Sequence, residues 1–160
     1  MSPEGKKASI HLTPVSQKLV DLIERNADEL TNCWLDDIRK DPNTHTYRHF
    51  DRDAVYARAF RVYSQLGKWI SQESSKEEVA RDYMELGVER CREGFALSEV
   101  IQALILIRRN LWRKVMEEGL LDTPYDLYQA IELNNRVSLF FDRAIFYTAC
   151  GYEKKKRAAD

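Results

Sequence analysis

Histidines are the first candidates for chemistry in this chain, because neutral imidazole is the commonest protein ligand for metals. His45 and His49 are four residues apart, a spacing that places two ligands on one face of a helix. Pro42 and Asn43 precede them, and both residue types favour turns and loops. We therefore interpret the segment 41–50 as a solvated polar loop and predict no metal site there.

Motifs for cofactors and catalysis are absent from the sequence. No histidine follows residue 49, so none is available to ligate a haem iron from the second half of a globin-like fold. The sequence contains no Cys-x-x-Cys or His-Glu-x-x-His zinc pattern, no Gly-rich phosphate loop and no Gly-x-Ser-x-Gly nucleophile motif. We predict that the protein has no cofactor and is not an enzyme.

Arg108 and Arg109 are the charged residues best suited to bind a ligand, because they directly follow an apolar run. At helical spacing both lie near Trp112, so a small anion or the carboxylate of an apolar ligand would meet a guanidinium beside an aromatic wall. A guanidinium within an apolar surface needs a partner, and Asp142 or Glu132 could supply one. Two interpretations stay open: a ligand site at Arg108, Arg109 and Trp112, or a structural ion pair between helices.

Helices must position these residues, because no strand-like alternation extends beyond a few positions. Apolar residues recur every three or four positions, and turn residues separate the periodic segments. Glycine and proline are scarce, at 6 and 4 residues, which also favours helices over a turn-rich β fold. The pattern predicts an all-α fold of about five helices in a helical-bundle or globin-like domain, at about 13–41, 51–74, 75–94, 98–118 and 123–150.

The last two helices have the clearest start signals. Thr123, Pro124 and Asp126 combine an N-cap, a proline at the first helical position and an acid at the third. Ser98 is predicted to be the N-cap of the preceding helix, at 98–118. After Pro124, no helix breaker occurs until Gly151, so the C-terminal helix is predicted to be long.

Length, charge and cysteine content indicate one cytoplasmic globular domain. The 160 residues carry a net charge of −1, which argues against a nucleic-acid partner. No run of about eighteen apolar residues is present, so no transmembrane segment is predicted. The 3 scattered cysteines suit free thiols in a reducing compartment. We predict a flexible segment at 1–12, a helical domain at 13–153 and a basic tail or connector at 154–160.

Two helices carry more apolar residues than one core-facing stripe requires. Residues 103–107 are apolar on all sides, which predicts a central helix with neighbours on several sides. Residues 139–147 show a similar excess, and a homodimer with a helical interface would use it. We predict that the interface residues are Phe140, Phe141, Ile145 and Phe146.

Four segments resemble a known family of signalling domains. They are WLDDIRKDP at 34–42, ELGVERCREGFALSEVIQAL at 85–104, RRNLW at 108–112 and FFDRAIFYTACGYE at 140–153. Together they resemble the RsbRD-type N-terminal helical domain of RsbR-like bacterial stress regulators, which also precedes some histidine kinases and transcription regulators. The resemblance covers roughly residues 16–153, and its motifs are structural rather than catalytic.

The resemblance implies a non-catalytic sensor or protein-interaction module that is globin-like without haem and usually dimeric. In that family the last helix leads into an output domain. Here the sequence ends at EKKKRAAD, so it is expected to be either a sensor piece of a longer protein or a free-standing protein that signals by binding a partner. The alternatives are a small-ligand binding protein, for a fatty acid or haem, and an adaptor subunit of a larger complex.

Overall fold

Helices account for nearly all of the described residues. The computed structural model describes residues 14–71, 76–119 and 121–160, and these ranges contain no strand. The α-helices are α1 (Pro14–Arg25), α2 (Ala27–Lys40), α3 (Arg52–Ser64), α4 (Leu66–Ile70), α5 (Lys76–Arg92), α6 (Leu97–Glu117) and α7 (Pro124–Ala159), with a 3-10 helix at Pro42–His49. The predicted all-α fold with a long C-terminal helix is confirmed. The predicted flexible segment 1–12 and the helix boundary predicted at 74–75 lie outside the described residues.

The first two predicted helices are each broken into two. The first breaks at Asn26, where φ is −103° and ψ is 20°, and the Asn26 Nδ2 donates to the Leu22 carbonyl oxygen at 2.7 Å. The second breaks at Gln65, where φ is −120° and ψ is 27°. Neither break contains proline or glycine, and apolar residues keep their helical spacing across both. Periodicity alone therefore could not reveal them.

The segment between α2 and α3 and the start of α6 differ in detail from the prediction. Residues 42–49 form the 3-10 helix rather than an open loop, with the Asn43 N–H donating to Asp41 Oδ1 at 2.8 Å. α6 begins at Leu97, so the prediction that Ser98 is its N-cap is wrong. The N-cap is Ala96, whose backbone N–H has no partner within the helix. The Glu99 side chain supplies one, since its Oε2 accepts from the Ala96 N–H at 3.0 Å.

α6 is the central helix, as its apolar run predicts. It packs against α1, α2, α5, α7 and the 3-10 helix. Its buried apolar residues lie on about one half of its surface: Val100, Ala103, Leu104, Leu106, Ile107, Leu111 and Val115. On the other half Ile101, Ile105 and Trp112 are half-buried and Met116 is exposed, so the neighbouring helices cover the apolar surface of α6 only in part.

α5 and α7 approach each other more closely than side chains would normally allow. A Cβ on Gly87 of α5 would lie 2.1 Å from the Thr148 carbonyl oxygen, and a Cβ on Gly151 of α7 would lie 2.1 Å from the Met84 carbonyl oxygen. Both glycines are therefore required by backbone contact rather than by a turn. The C-terminal half of α7 is held directly against α5.

Candidate functional site

The start of α7 forms as its sequence predicts. The Asp126 N–H donates to Thr123 Oγ1 at 3.1 Å, and the Thr123 N–H donates to Asp126 Oδ2 at 3.1 Å. Pro124 occupies the first turn, where its missing N–H costs nothing. The helix then runs for 36 residues, about 54 Å. It includes most of the predicted basic tail, because 154–159 are its last residues.

The inner face of α7 fills the core of its own chain. Phe140 and Phe141 are 3% and 0% exposed. The Phe140 ring lies 5.6 Å from the ring of Trp69 and 5.8 Å from that of Tyr83. These two phenylalanines were expected at a dimer interface, but the protomer's own core already covers them. The side chains of α4 and α5 occupy the space that a partner would need.

The outer face of α7 carries a second set of apolar residues that the described part of the chain leaves largely exposed. Tyr128, Ile131, Leu139 and Phe146 are 65%, 53%, 50% and 61% exposed. Successive members are 3, 8 and 7 residues apart, which keeps all four on one side of the helix, opposite the core. We call these four residues the outer stripe. Of the predicted interface residues, Phe146 belongs to this stripe.

Ile145 is the remaining predicted interface residue, and it lies at the edge between the two faces of α7. It is half-buried and packs against the core. The three other members of the outer stripe were not predicted from the sequence. The spacing of Tyr128, Ile131 and Leu139 relative to Phe146 was the available signal, but the apolar residues of the inner face obscured it.

Arg108 extends from α6 towards α7, where one of its predicted partners lies. Its Nη1 is 3.9 Å from Asp142 Oδ1, and the two side chains are 32% and 70% exposed. This is a loose pair at the edge of the outer face, of the kind that contributes little to stability. Glu132, the other predicted partner, pairs with Arg136 of its own helix at 3.2 Å.

Arg109 faces a different neighbour. It is exposed and lies near Asp41, at the start of the 3-10 helix. The Asn43 N–H and the Gln102 side chain lower the pKa of Asp41 below its ordinary value, and the positive charge of Arg109 adds to that effect. Because Arg108 and Arg109 serve different neighbours, their joint role in binding a ligand stays a prediction.

Trp112, the third predicted ligand residue, is half-buried against the core. Its Nε1–H is buried and has no hydrogen-bond partner among the described residues. An unsatisfied buried donor costs about 1–3 kcal/mol, so an acceptor at this position would be favourable. The ligand role of Trp112 is supported by this donor alone.

A buried carboxylate that the sequence analysis did not single out joins the 3-10 helix to α6. Glu99 is 3% exposed. It accepts hydrogen bonds from the Thr46 N–H and Oγ1, both at 2.8 Å, and from the Ala96 N–H. Burial raises its pKa, but the hydrogen bonds from Thr46 and Ala96 outweigh burial and place the pKa of Glu99 below its ordinary value.

The histidines considered for a metal site have separate surroundings. The Nδ1 of His45 lies 3.2 Å from Glu99 Oε1, while its side chain is 70% exposed. His49 is exposed at the end of the 3-10 helix. Within 14–71, 76–119 and 121–160, no three His, Cys, Asp or Glu side chains come together as a possible metal site.

The fold and the α7 surface define a class of protein: an all-α domain whose long C-terminal helix has one face in the core and a second apolar face outside it. None of the described helices is long and apolar enough to cross a membrane. Over residues 28–160 the chain matches the family described as RsbT co-antagonist protein rsbRD N-terminal domain.

The chain therefore belongs to this family, whose domains are N-terminal parts of regulators of stress signalling. The resemblance inferred from the sequence is confirmed. The matched range begins within α2, so α1 lies before it. No curated protein and no solved structure matches the chain.

Proposed function

We propose that this chain is a cytoplasmic, non-catalytic sensor or protein-interaction domain of bacterial signalling that dimerises through the outer stripe of α7. In this proposal α7 passes a signal from the helical core to an output domain or a protein partner. The family description suggests RsbT as the kind of partner to test. The observation that carries the proposal is that one helix is apolar on two opposite faces, of which the core covers only one.

The dimensions of the outer stripe suit helix-to-helix pairing. From Tyr128 to Phe146 it spans 18 residues, about 27 Å of helix. Separations of three, four, seven and eight residues are those of contacts between paired helices. Four large exposed apolar side chains along one line also exceed the scattered apolar residues of an ordinary surface.

Two polar residues lie within the stripe, where they would set the alignment of a dimer. Asn135 falls between Ile131 and Leu139, and Asp142 falls between Leu139 and Phe146. A single asparagine in a helical interface favours one register, because its amide can pair with its own copy across a two-fold axis. Asp142 can keep its charge in such an interface because Arg108 lies 3.9 Å away and supplies a partner.

A signal would travel along α7 because both of its faces are engaged. The close contact at Gly87 and Gly151 allows little sliding between α5 and α7 without backbone clashes. A change in the position of α5 would therefore move α7 and, through the outer stripe, alter the pairing of two copies. Such a device shifts only if a ligand or partner binds the two arrangements with different affinity.

Sedimentation velocity and native mass spectrometry of the wild type and Leu139→Asp test the proposal. We expect the wild type to be a dimer at micromolar concentration and Leu139→Asp to be a monomer, because a carboxylate in the stripe would have to be buried without a partner. The native spectrum, compared with a denatured one, also reports any small molecule that the purified protein retains.

Phe60→Asp is the matched control. Phe60 is an apolar residue on α3 that is 37% exposed, and it stacks on Tyr56 rather than on any residue of α7. We expect this variant to remain a dimer. A monomeric wild type, or loss of the dimer in both variants, would contradict dimerisation through the outer stripe.

A ligand-binding protein is the second candidate, favoured by a cavity between α3 and α5 that is described below. The third candidate, an adaptor subunit, would use the outer stripe to contact a different protein. A native spectrum that shows a monomer, with neither a dimer nor a retained ligand, would favour this third candidate.

A further inference from the structure

A gap between α3 and α5 contains a small cavity. Among the described residues, these two helices do not pack closely on each other, whereas α6 packs against α5 and lies beneath the gap. The cavity has a volume of about 50 Å³. Its inner walls are formed by Trp34, Ala59, Trp69, Tyr83, Ala103 and Leu104.

These inner walls are largely apolar, because the two tryptophan N–H groups are already engaged and the remaining polar group, the Tyr83 hydroxyl, carries no charge. The Trp34 Nε1–H donates to the Ala103 carbonyl oxygen at 2.9 Å, and the Trp69 Nε1–H donates to the Arg61 carbonyl oxygen at 3.4 Å. Burial raises the pKa of the Tyr83 phenol above its ordinary value, so this residue is neutral. A water molecule needs two to four polar partners, so the inner part of the cavity suits an apolar group better.

Two ion pairs cross the gap at the mouth of the cavity. Arg58 Nη2 on α3 lies 2.9 Å from Glu89 Oε2 on α5, and Arg61 of α3 pairs with Asp82 of α5. The side chains of Arg58, Arg61 and Asp82 line the cavity itself. The Arg61 guanidinium also lies 5.3 Å from the centre of the Trp69 ring. A molecule entering the cavity therefore passes between guanidinium groups and reaches aromatic walls.

We propose that this cavity binds a short-chain carboxylate, whose apolar chain lies among Trp34, Trp69 and Ala103 while its carboxylate replaces Asp82 on Arg61. A planar guanidinium binds carboxylates through two parallel hydrogen bonds, and Arg61 already holds one carboxylate at this position. The volume accommodates roughly two water-sized groups, so the last two carbons of such a chain would be buried and the carbon next to the carboxylate would lie at the mouth. Release of Asp82 would loosen α3 from α5, the helix packed against α7.

This inference goes beyond the proposed function, since binding in the cavity does not require a dimer. Two of the three tryptophans lie in the cavity wall, so Trp112→Phe leaves an intrinsic fluorescence signal from the site. In that variant, sodium butyrate titrated to about 50 mM at constant ionic strength should change the emission saturably, because a ligand of about six heavy atoms binds weakly. Butylammonium should produce no saturable change, and hexanoate should bind less tightly than butyrate.

Two pairs of variants separate recognition at the mouth from general effects of charge. Arg61→Gln should weaken butyrate binding about tenfold or more, and Asp82→Asn should strengthen it about threefold because the competing carboxylate is gone. Arg113 and Asp37 form the matched control pair: Arg113 is 50% exposed, as Arg61 is, and lies 3.0 Å from Asp37. Arg113→Gln and Asp37→Asn should leave butyrate binding unchanged.

Ala103→Leu fills the cavity and should abolish the response, with circular dichroism reporting whether the variant still folds. If this variant does not fold, the opposite effects of Arg61→Gln and Asp82→Asn still test whether Arg61 binds the carboxylate of butyrate. Butanol binding as tightly as butyrate, with Arg61→Gln having no effect, would overturn carboxylate recognition. Absence of any saturable change with butyrate would overturn the site. A monomeric protein that binds butyrate would contradict only the dimer proposal.

Discussion

α7 has two apolar faces, and the fold uses them differently. On its inner face Phe140 and Phe141 are 3% and 0% exposed, while on its outer face Leu139 and Phe146 are 50% and 61% exposed. Leu139 and Phe140 are neighbours in sequence, yet one is in solvent and the other is in the core. The difference shows that the residue types revealed a surplus of apolar surface on α7, but not which of those residues face the core and which face solvent.

The acidic residues show the same contrast. Glu99 on α6 is buried and accepts three hydrogen bonds, whereas Asp142 on α7 is exposed and lies 3.9 Å from Arg108. A buried carboxylate without donors would be unfavourable by several kcal/mol, so the position of Glu99 depends on the groups that surround it. Burial and its compensation, rather than the residue type, determine the energetic role of each side chain.

The largest expected effect is a difference between the two faces of α7 in how much their side chains contribute to the free energy of unfolding. Phe141→Ala should lower the free energy of unfolding by about 3–5 kcal/mol, because it leaves a cavity in a fully packed core. Phe146→Ala should change it by less than about 0.5 kcal/mol, because the side chain is mostly in solvent. Urea unfolding measures both, in the Leu139→Asp background so that dimerisation does not contribute. Equal losses would remove the distinction between the faces.

A smaller effect is expected from the contact that fixes the inner face to α5. Gly151→Ala should lower the free energy of unfolding by about 1–3 kcal/mol, because its Cβ would lie 2.1 Å from the Met84 carbonyl oxygen. Thermal or urea unfolding measures the loss.

Gly67→Ala is the matched control, since a Cβ there would meet only side-chain atoms that can move, Glu24 Oε1 at 3.2 Å and Val20 Cγ1 at 3.3 Å. The gain in helix propensity, at most about 1 kcal/mol, should offset that tighter contact. If Gly151→Ala were as mild as Gly67→Ala, α7 would be free to shift on α5 and the proposed path of the signal would lose its support.

The smallest effects concern the two acids and their dependence on pH. At neutral pH, Glu99→Gln should lower the free energy of unfolding by about 1–3 kcal/mol, whereas Asp142→Asn should change it by less than about 0.5 kcal/mol. Because the pKa of Glu99 is lowered in the folded state, its contribution is present above the ordinary glutamate pKa of about 4.3 and is lost as the pH falls through the lowered value.

Urea unfolding of the wild type and Glu99→Gln at neutral pH and at about pH 3 measures this dependence. The gap between the two proteins should narrow at the lower pH. A gap that widened on acidification would mean that Glu99 is held with a raised pKa, and that burial outweighs its hydrogen bonds. Asp142→Asn should follow the wild type throughout.

Much of the fold could be predicted because its signals are local. The cap at Thr123, the proline after it and the absence of a breaker predict α7, and the apolar run at 103–107 predicts the central position of α6. The breaks at Asn26 and Gln65 could not be predicted in this way. The apolar periodicity continues across both breaks, and only the contacts of α1 and α4 with distant segments of the chain accompany the change of direction.

The candidate sites were less predictable. Arg108 was expected to meet Asp142, and it does, loosely. The dimer interface was predicted at Phe140, Phe141, Ile145 and Phe146, of which the first two lie in the core and Phe146 belongs to the outer stripe. The cavity between α3 and α5 had no signal in the sequence, because Arg58, Arg61 and Asp82 resemble residues of any solvated helix surface.

The sequence by itself determined the all-α class, the long C-terminal helix, the central helix and the family, since these follow from periodicity, caps and motif order along the chain. Only the tertiary structure decided which side of α7 is covered, which acid is buried, and where two helices stand far enough apart to leave a cavity. Those outcomes depend on distances between segments far apart in sequence, such as the contact of α5 with α7 through Gly87 and Gly151. No local pattern contains that information.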